Sequence, residues 1–283
     1  MALRWVALGM LLFPTAALAA AAAPTPAREP PDPETAIWAK LKRSLFENRP
    51  VSSGAPGIVE LIAPSRADDG AVVPIAIRTR LAQTPGRYIR RLYLVVDNNP
   101  SPVAARIDLT PDSGRADVET RIRIEQYSYV RAVAELSDGT LVADARFVKA
   151  SGGCSAPAAR DGGAARAGRM RLSVEPEAAY NEPARAQLMI SHPNDSGLAM
   201  DQLTRLYTPA YFVRSVKVTY AGKPVFAAEV DFSISENPYF RFYFVPSAEG
   251  ELKAEAVDTK ELRFETALPV QLGASRVPAP RAQ

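Results

Sequence analysis

Residues 118–149 read VETRIRIEQYSYVRAVAELSDGTLVADARFVK, and the fold class follows from this stretch. Val118, Thr120, Ile122 and Ile124 alternate with Glu119, Arg121 and Arg123. That period of two places apolar side chains on one face of a half-buried strand. Residues 127–136 and 141–149 are two further runs rich in β-branched and aromatic side chains, separated by Ser137-Asp138-Gly139-Thr140. Asp-Gly readily takes positive φ, so the pair predicts a hairpin.

Working outward toward the N-terminus, the same texture recurs at residues 103–109, 88–96, 72–80 and 57–63. Pro74 lies inside one of these runs and argues for an edge strand or a bulge, because proline cannot donate to a ladder. The total is about seven short strands, the number expected of an immunoglobulin-like sandwich. Ahead of them, Ile37, Leu41 and Leu45 recur every four residues beside Trp38, with Pro33 before and Pro50 after. That spacing predicts one short amphipathic helix.

Toward the C-terminus the pattern stops. Residues 150–169 contain no large apolar side chain but five glycines, at positions 152, 153, 162, 163 and 168. Such a segment buries too little to offset its ordering entropy and reads as a linker. Strand patterns resume at residues 170–175, 184–191, 211–220, 224–232, 239–245, 251–257 and 262–268, with a long loop from His192 to about Thr208. The expected fold is all-β: two immunoglobulin-like β-sandwich domains, 34–149 and 170–273, with a short N-terminal helix.

The chain ends carry a different signal. Arg4, the apolar run 5–13 and Ala17-Leu18-Ala19 predict a secretory signal peptide over residues 1–19. An Ala/Pro-rich leader over 20–33 and a tail over 274–283 are expected to be disordered. The sequence therefore predicts a periplasmic protein that is soluble, without a membrane partner, once the signal is removed, against the alternative of an uncleaved membrane anchor. A net charge of only +3 across 283 residues does not support a nucleic-acid partner.

One cysteine is present, Cys154, so no intramolecular disulfide can form. It follows Gly152 and Gly153, which free the backbone and remove side-chain bulk. Between Lys149 and Cys154 full extension would reach roughly 15 Å. Lys149, Arg160, Arg166 and Arg169 are near in sequence against one acid, Asp161, and positive charge favours thiolate. The expectation is an exposed, reactive thiol on a flexible arm, against the alternative of a buried, inert cysteine.

Little else suggests catalysis. His192 is the single histidine and has no companion at metal-ligand spacing. A Cys154–His192 pair is open, but Pro193, Asn194, Asp195 and Gly197 read as turn chemistry. The sequence contains no nucleophile elbow, phosphate loop or dinucleotide fingerprint. Phe240, Phe242 and Phe244 at strand spacing read as core. Tyr239, Arg241 and Tyr243 on the opposite face, with Tyr211 and Phe212, are candidates for a contact surface. No metal and no cofactor is expected.

Several segments together resemble a known family. They are Leu94-Val95-Val96-Asp97-Asn98-Asn99-Pro100-Ser101-Pro102, Tyr129-Val130-Arg131-Ala132-Val133-Ala134-Glu135 and Gly152-Gly153-Cys154. In the second half they are His192-Pro193, Ser196-Gly197, Pro209-Ala210-Tyr211-Phe212 and Ser235-Glu236-Asn237-Pro238-Tyr239-Phe240. In this order they resemble a fusion of SoxY and SoxZ, the halves of a periplasmic sulfur carrier of bacterial sulfur oxidation. The pattern is most similar to fused SoxYZ-like carriers associated with quinoprotein dehydrogenases. The resemblance implies a non-enzymatic carrier whose Cys154 holds a covalent sulfur-containing cargo. It also implies periplasmic redox enzymes as partners, either a quinoprotein dehydrogenase or Sox-type enzymes. In SoxY the cysteine lies on a free C-terminal arm, whereas Cys154 is internal. The rival reading is a binding module that docks on a quinoprotein dehydrogenase with Cys154 incidental. A thiol enzyme is a third reading and lacks a convincing base.

Overall fold

The computed structural model describes residues 35–53, 57–157, 167–175, 178–201 and 203–272. The expected signal peptide, leader, C-terminal tail and residues 158–166 of the expected linker lie outside the described residues. Within them the chain opens on helix α1 (Ala36–Phe46) and continues as strands. The first half contributes β1 (Val51–Ser53), β2 (Val59–Ile62), β3 (Val73–Thr79), β4 (Ile89–Val96), β5 (Val103–Leu109), β6 (Val118–Ile122), β7 (Ser128–Leu136) and β8 (Leu141–Val148). The second contributes β9 (Met170–Val174), β10 (Ala184–Ile190), β11 (Val213–Tyr220), β12 (Lys223–Val230), β13 (Tyr239–Phe244), β14 (Gly250–Asp258) and β15 (Arg263–Val270).

The all-β fold expected from the sequence is present, with one difference in how the two expected sandwich domains meet. They are joined strand to strand. One nine-stranded sheet runs β1-β8-β7-β4-β5-β12-β11-β14-β15, and a six-stranded sheet runs β2-β3-β6-β13-β10-β9. The larger sheet crosses between halves where β5 pairs antiparallel with β12, Leu109 opposite Phe226 and Ile107 opposite Ala228. The smaller crosses at Glu119 opposite Arg241. The cause is register. Ala105, Ile107 and Leu109 fall on the same face as Phe226, Ala228 and Val230, so pairing buries both sets in one core. It also removes two exposed strand edges that would otherwise template aggregation. One apolar cluster runs from Val59 through Val270, and Phe240, Phe242 and Phe244 lie inside it as expected.

The helix explains why β7 is buried along its whole length. One face of β4 and β7 supplies the main core. The other, with Tyr93, Val95 and Val133, is roofed by Trp38 and Phe46 of α1. The Thr35 hydroxyl caps the helix, accepting from the Trp38 N–H at 3.0 Å. Leu41 and Leu45 pack partly under this roof, while Ile37 stays exposed. Pro74 is not on an edge strand, since β3 sits between β2 and β6. The β2 ladder, however, ends at Ile62 opposite Ala76, so Pro74 occupies a stretch of β3 with no neighbour on that side.

Candidate functional site

After β8 the chain turns back into the molecule. Gly152 N–H donates to the Glu125 carbonyl at 2.9 Å, and Gly153 N–H to the Ile124 carbonyl at 3.0 Å. Ile124 N–H in turn donates to the Gly70 carbonyl at 2.8 Å. Three strips of backbone are thereby laid side by side. Gly152 has φ +74°, a left-handed conformation that suits glycine. A Cβ on Gly153 would fall 2.0 Å from the Gly70 carbonyl oxygen. Gly152 is thus favoured by its positive φ and Gly153 is required by the close fit, which corrects the expectation that Gly152 and Gly153 serve as a flexible arm.

Cys154 itself is fully buried and unpaired. Its exposure corrects the sequence expectation, although Gly152 and Ser155 on either side reach solvent. Glu125 anchors the turn. One carboxylate oxygen accepts from Cys154 N–H at 2.8 Å and from Ser155 N–H at 3.0 Å. The other accepts from the Ser155 hydroxyl at 2.9 Å. The Ser196 hydroxyl, from the second half, donates to the Cys154 carbonyl.

Arg123 reads in sequence as a solvent-face residue of an alternating strand, but it is only 1% exposed. The ladder of β6 ends at Ile122, and Arg123 N–H donates instead to the Ser233 carbonyl at 2.7 Å. The guanidinium donates to the Gly153 carbonyl at 3.0 Å and the Asn194 carbonyl at 3.3 Å, and its Nε has no partner. Asn99 supports the same strip. Its amide donates to the Arg123 carbonyl at 2.8 Å and the Ser233 hydroxyl at 3.1 Å, and its oxygen accepts from Glu125 N–H at 2.9 Å.

Burial, with the Glu125 carboxylate adding to it, pushes the Cys154 thiol up to about 12, although Arg123 pulls the other way. The expected thiolate bias is therefore reversed in this conformation. Burial also drives the Arg123 pKa down. His192 is buried too. Its Nδ1 accepts from Asn194 N–H at 3.1 Å, and its Nε2 lies 3.6 Å from an Asp258 carboxylate oxygen. Its ring centroid lies 4.4 Å from that of Tyr211. Burial lowers its pKa, opposed by Asp258, so the ring is held neutral. Its role is structural. The 192–197 loop does reach the cysteine, directly through the Ser196 hydroxyl and by way of Arg123 through the Asn194 carbonyl, and not through the imidazole.

The other candidate surface divides. Tyr239, Arg241 and Tyr243 lie on the outer face of β13, where Arg241 and Arg78 both pair with Glu119. Tyr211 and Phe212 pack elsewhere, on His192 and on Phe232. Among the described residues no cluster of His, Cys, Asp and Glu has the makings of a metal site, and no helix is long and apolar enough to cross a membrane.

The two segments that meet at Cys154 come from different family models. Residues 42–154 match the model of sulfur oxidation protein SoxY, ending on the cysteine, and residues 170–269 match that of sulphur oxidation protein SoxZ. The chain belongs to the fused SoxYZ-like proteins. Among solved structures it is similar to the sulfur carrier protein SoxY from Chlorobium limicola f thiosulfatophilum, at 23% identity and TM-score 0.34 over 41% of this chain and 96% of that one. A superoxide reductase (neelaredoxin) from Ignicoccus hospitalis matches at 14% identity and TM-score 0.31, over 34% of this chain and 82% of that one. The fibronectin(III)-like modules of CbhA from Clostridium thermocellum match at 14% identity and TM-score 0.24, over 80% of this chain and all of the other. No curated protein matches the chain.

In the SoxYZ-like frame, the residues that hold Cys154 come from both halves. Gly70, Asn99, Arg123 and Glu125 belong to the SoxY half; Asn194, Ser196 and Ser233 belong to the SoxZ half. Sequence reading singled out Cys154 and its glycines but not Arg123 or Glu125. The available signal was indirect: Asn99 and the 192–197 loop both fall in the segments that carry the resemblance.

Proposed function

We propose that this protein is a SoxYZ-like sulfur carrier of the periplasm, in which Cys154 holds a covalent sulfur-containing group and presents it to partner enzymes. The observation that carries the reading is that the single cysteine is the last residue of the SoxY match and sits on a turn clasped by the SoxZ half. The bond-making chemistry belongs to the partner; this chain supplies the thiol and its shelter.

The described conformation is a closed one. A thiol with its pKa near 12 and no exposure is a poor nucleophile, since thiolate is the reactive form. Function requires the turn over residues 152–155 to lift away from Glu125 and Ser196. That opening breaks the bonds of the turn to Glu125, Arg123 and Ser196, the last two buried, and local openings occur below the cost of global unfolding. The partners proposed are Sox-type enzymes or a quinoprotein dehydrogenase. Their support is the resemblance, and the support for the periplasm is the N-terminal signal pattern.

One observation favours the rival reading, a docking module with Cys154 incidental: the thiol is packed inside. Two measurements separate them. Intact mass of the protein taken from its native host without reductant is expected to show a sulfur-containing increment on Cys154. Cys154→Ser is expected to abolish support of the partner enzyme while the protein still folds. Full activity with that variant would end the carrier reading.

A further inference from the structure

The loop that touches Cys154 carries an apolar surface that the fold does not use. Ser196 is its inner end. The Ser196 hydroxyl donates to the Cys154 carbonyl and accepts from Leu198 N–H at 3.1 Å. From there the chain runs outward and returns, with a bridge between Met200 and Tyr207. Along it Leu198 is 38% exposed, Met200 42%, Leu203 88%, Leu206 69% and Tyr207 61%. Five large apolar side chains within ten residues form a patch of the kind that marks an interaction site, whereas single exposed leucines would need no explanation.

The loop is built to hold them out. Asp201 folds the tip: its carboxylate accepts from Leu203 N–H at 3.0 Å, Thr204 N–H at 2.8 Å and the Thr204 hydroxyl at 3.1 Å. Its backbone closes the turn, with Asp201 N–H donating to the Leu206 carbonyl and Arg205 N–H to the Asp201 carbonyl, both at 2.9 Å. Thr208 N–H closes the base onto the Ala199 carbonyl at 2.8 Å. A loop pinned in this way does not collapse its leucines onto the sheet, so they stay in water at a hydrophobic cost until something covers them.

We propose that this loop is the docking surface for the enzyme that loads Cys154, a protein partner with an apolar cleft beside its cysteine-receiving channel. The inference rests on the carrier reading above. What selects this occupant is continuity. Any protein that takes the thiol has to sit over the 152–155 turn, and the loop is tied to that turn through one hydroxyl. A partner covering Leu203, Leu206 and Tyr207 is brought against one of the groups that hold the turn closed. Aromatic and aliphatic anchors on a pre-ordered loop bind with little further ordering cost.

The test compares the wild-type protein with Leu203→Ser/Leu206→Ser, two exposed positions whose change leaves the fold intact, as equal melting temperatures would verify. Each protein is recovered from the native host without reductant and weighed intact. Each is also loaded in vitro with tetrathionate, which needs no enzyme. The Cys154 thiol gives its proton to solvent, the thiolate attacks a central sulfur, the central S–S bond breaks, Cys–S–S–SO3− forms and thiosulfate leaves. The expected result is an adduct on the wild-type protein in the host, at least about tenfold less on the variant, and equal tetrathionate loading of both. Equal loading in the host would overturn the docking proposal while leaving the carrier standing. No adduct on either protein in the host would remove the carrier reading and this proposal with it. A wild-type dimer that the substitutions turn into monomers would show the patch to be covered by a second copy instead, and would also overturn the proposal.

Discussion

The proposed carrier role sets Cys154 two requirements that pull apart. A carrier thiol has to be reached, yet a free thiol is open to unwanted oxidation. The closed turn meets the second requirement, and the groups around the sulfur set the terms. Glu125 clasps the turn through three donors and also opposes ionisation, so one side chain both latches the loop and silences the nucleophile. The thiol pKa is raised from 9.0 to about 12 on folding. The folded form therefore gains stability from this group below pH 9, and loses that gain as pH rises from 9 toward 12. Alkylation of the native protein by iodoacetamide at pH 8 is expected to run at least ~100-fold slower than in urea, because so little of the closed thiol is ionised. The rate should still be rising steeply at pH 10. In Glu125→Gln the reaction is expected to accelerate severalfold, with the pH profile moved to lower values. A wild-type rate as fast as in urea and level above pH 9 would show that the turn is open in solution.

At the scale of elements, α1 matters more than its eleven residues suggest. It converts the back of β4 and β7 from a solvent face into a second small core. Beneath it lies a buried ion pair: Arg131 Nε and Nη2 donate to the two Asp97 carboxylate oxygens at 2.8 and 2.7 Å. The Trp38 ring lies against the Arg131 guanidinium, at 4.5 Å from its centroid. Trp38→Ala would leave a cavity and admit water to that pair. It is expected to destabilise the protein by about 3–5 kcal/mol, read as a lower urea midpoint with the sheet signal retained below it. A change within experimental error would mean that the helix is not docked in solution. The helix was legible from its spacing because a 3.6-residue period survives in any context. Strands such as β6 and β13 were legible from their alternation, and β7 and β8 from their β-branched and aromatic content and the Asp-Gly turn between them. The three-residue β1, Val-Ser-Ser, was not, because it exists only through its parallel pairing with β8, and such partners are invisible locally. Arg123 was misread for a related reason. Alternation assigns it to the solvent face, but β6 ends one residue earlier and the chain folds it under the cysteine turn. A glycine-rich composition suggested a flexible arm at Gly152-Gly153, and composition alone does not distinguish a loose segment from one in which Gly152 takes a positive φ and the backbone at Gly153 fits too closely for a Cβ.

For the whole molecule, the seam between the SoxY and SoxZ halves decides how the protein behaves as a unit. The halves share two sheets and one core, so each lacks part of its packing without the other. Phe226 is the clearest marker of that dependence. It lies on β12 opposite Leu109 of the first half, and its ring stacks on Phe242 at 4.8 Å and meets Phe240 at 5.6 Å. It is 1% exposed. Calorimetry is expected to show one cooperative transition for the intact chain, since halves that share a core cannot melt independently. Phe226→Ala is expected to cost about 3–5 kcal/mol and to move that single transition as a whole. Exchange of backbone amides should then increase in β4 and β7 of the SoxY half as well as in β11 and β13, because the loss is taken from the stability common to both. The Cys154 turn would follow, since Ser196 bonds to it, and Asn194 and Ser233 to the Arg123 and Asn99 that support it, across the same seam, and its alkylation should quicken in step with the fall in global stability. Two transitions with only one displaced, or amide protection lost in the SoxZ half alone, would show that the strand pairing at β5 and β12 joins two bodies that are energetically separate.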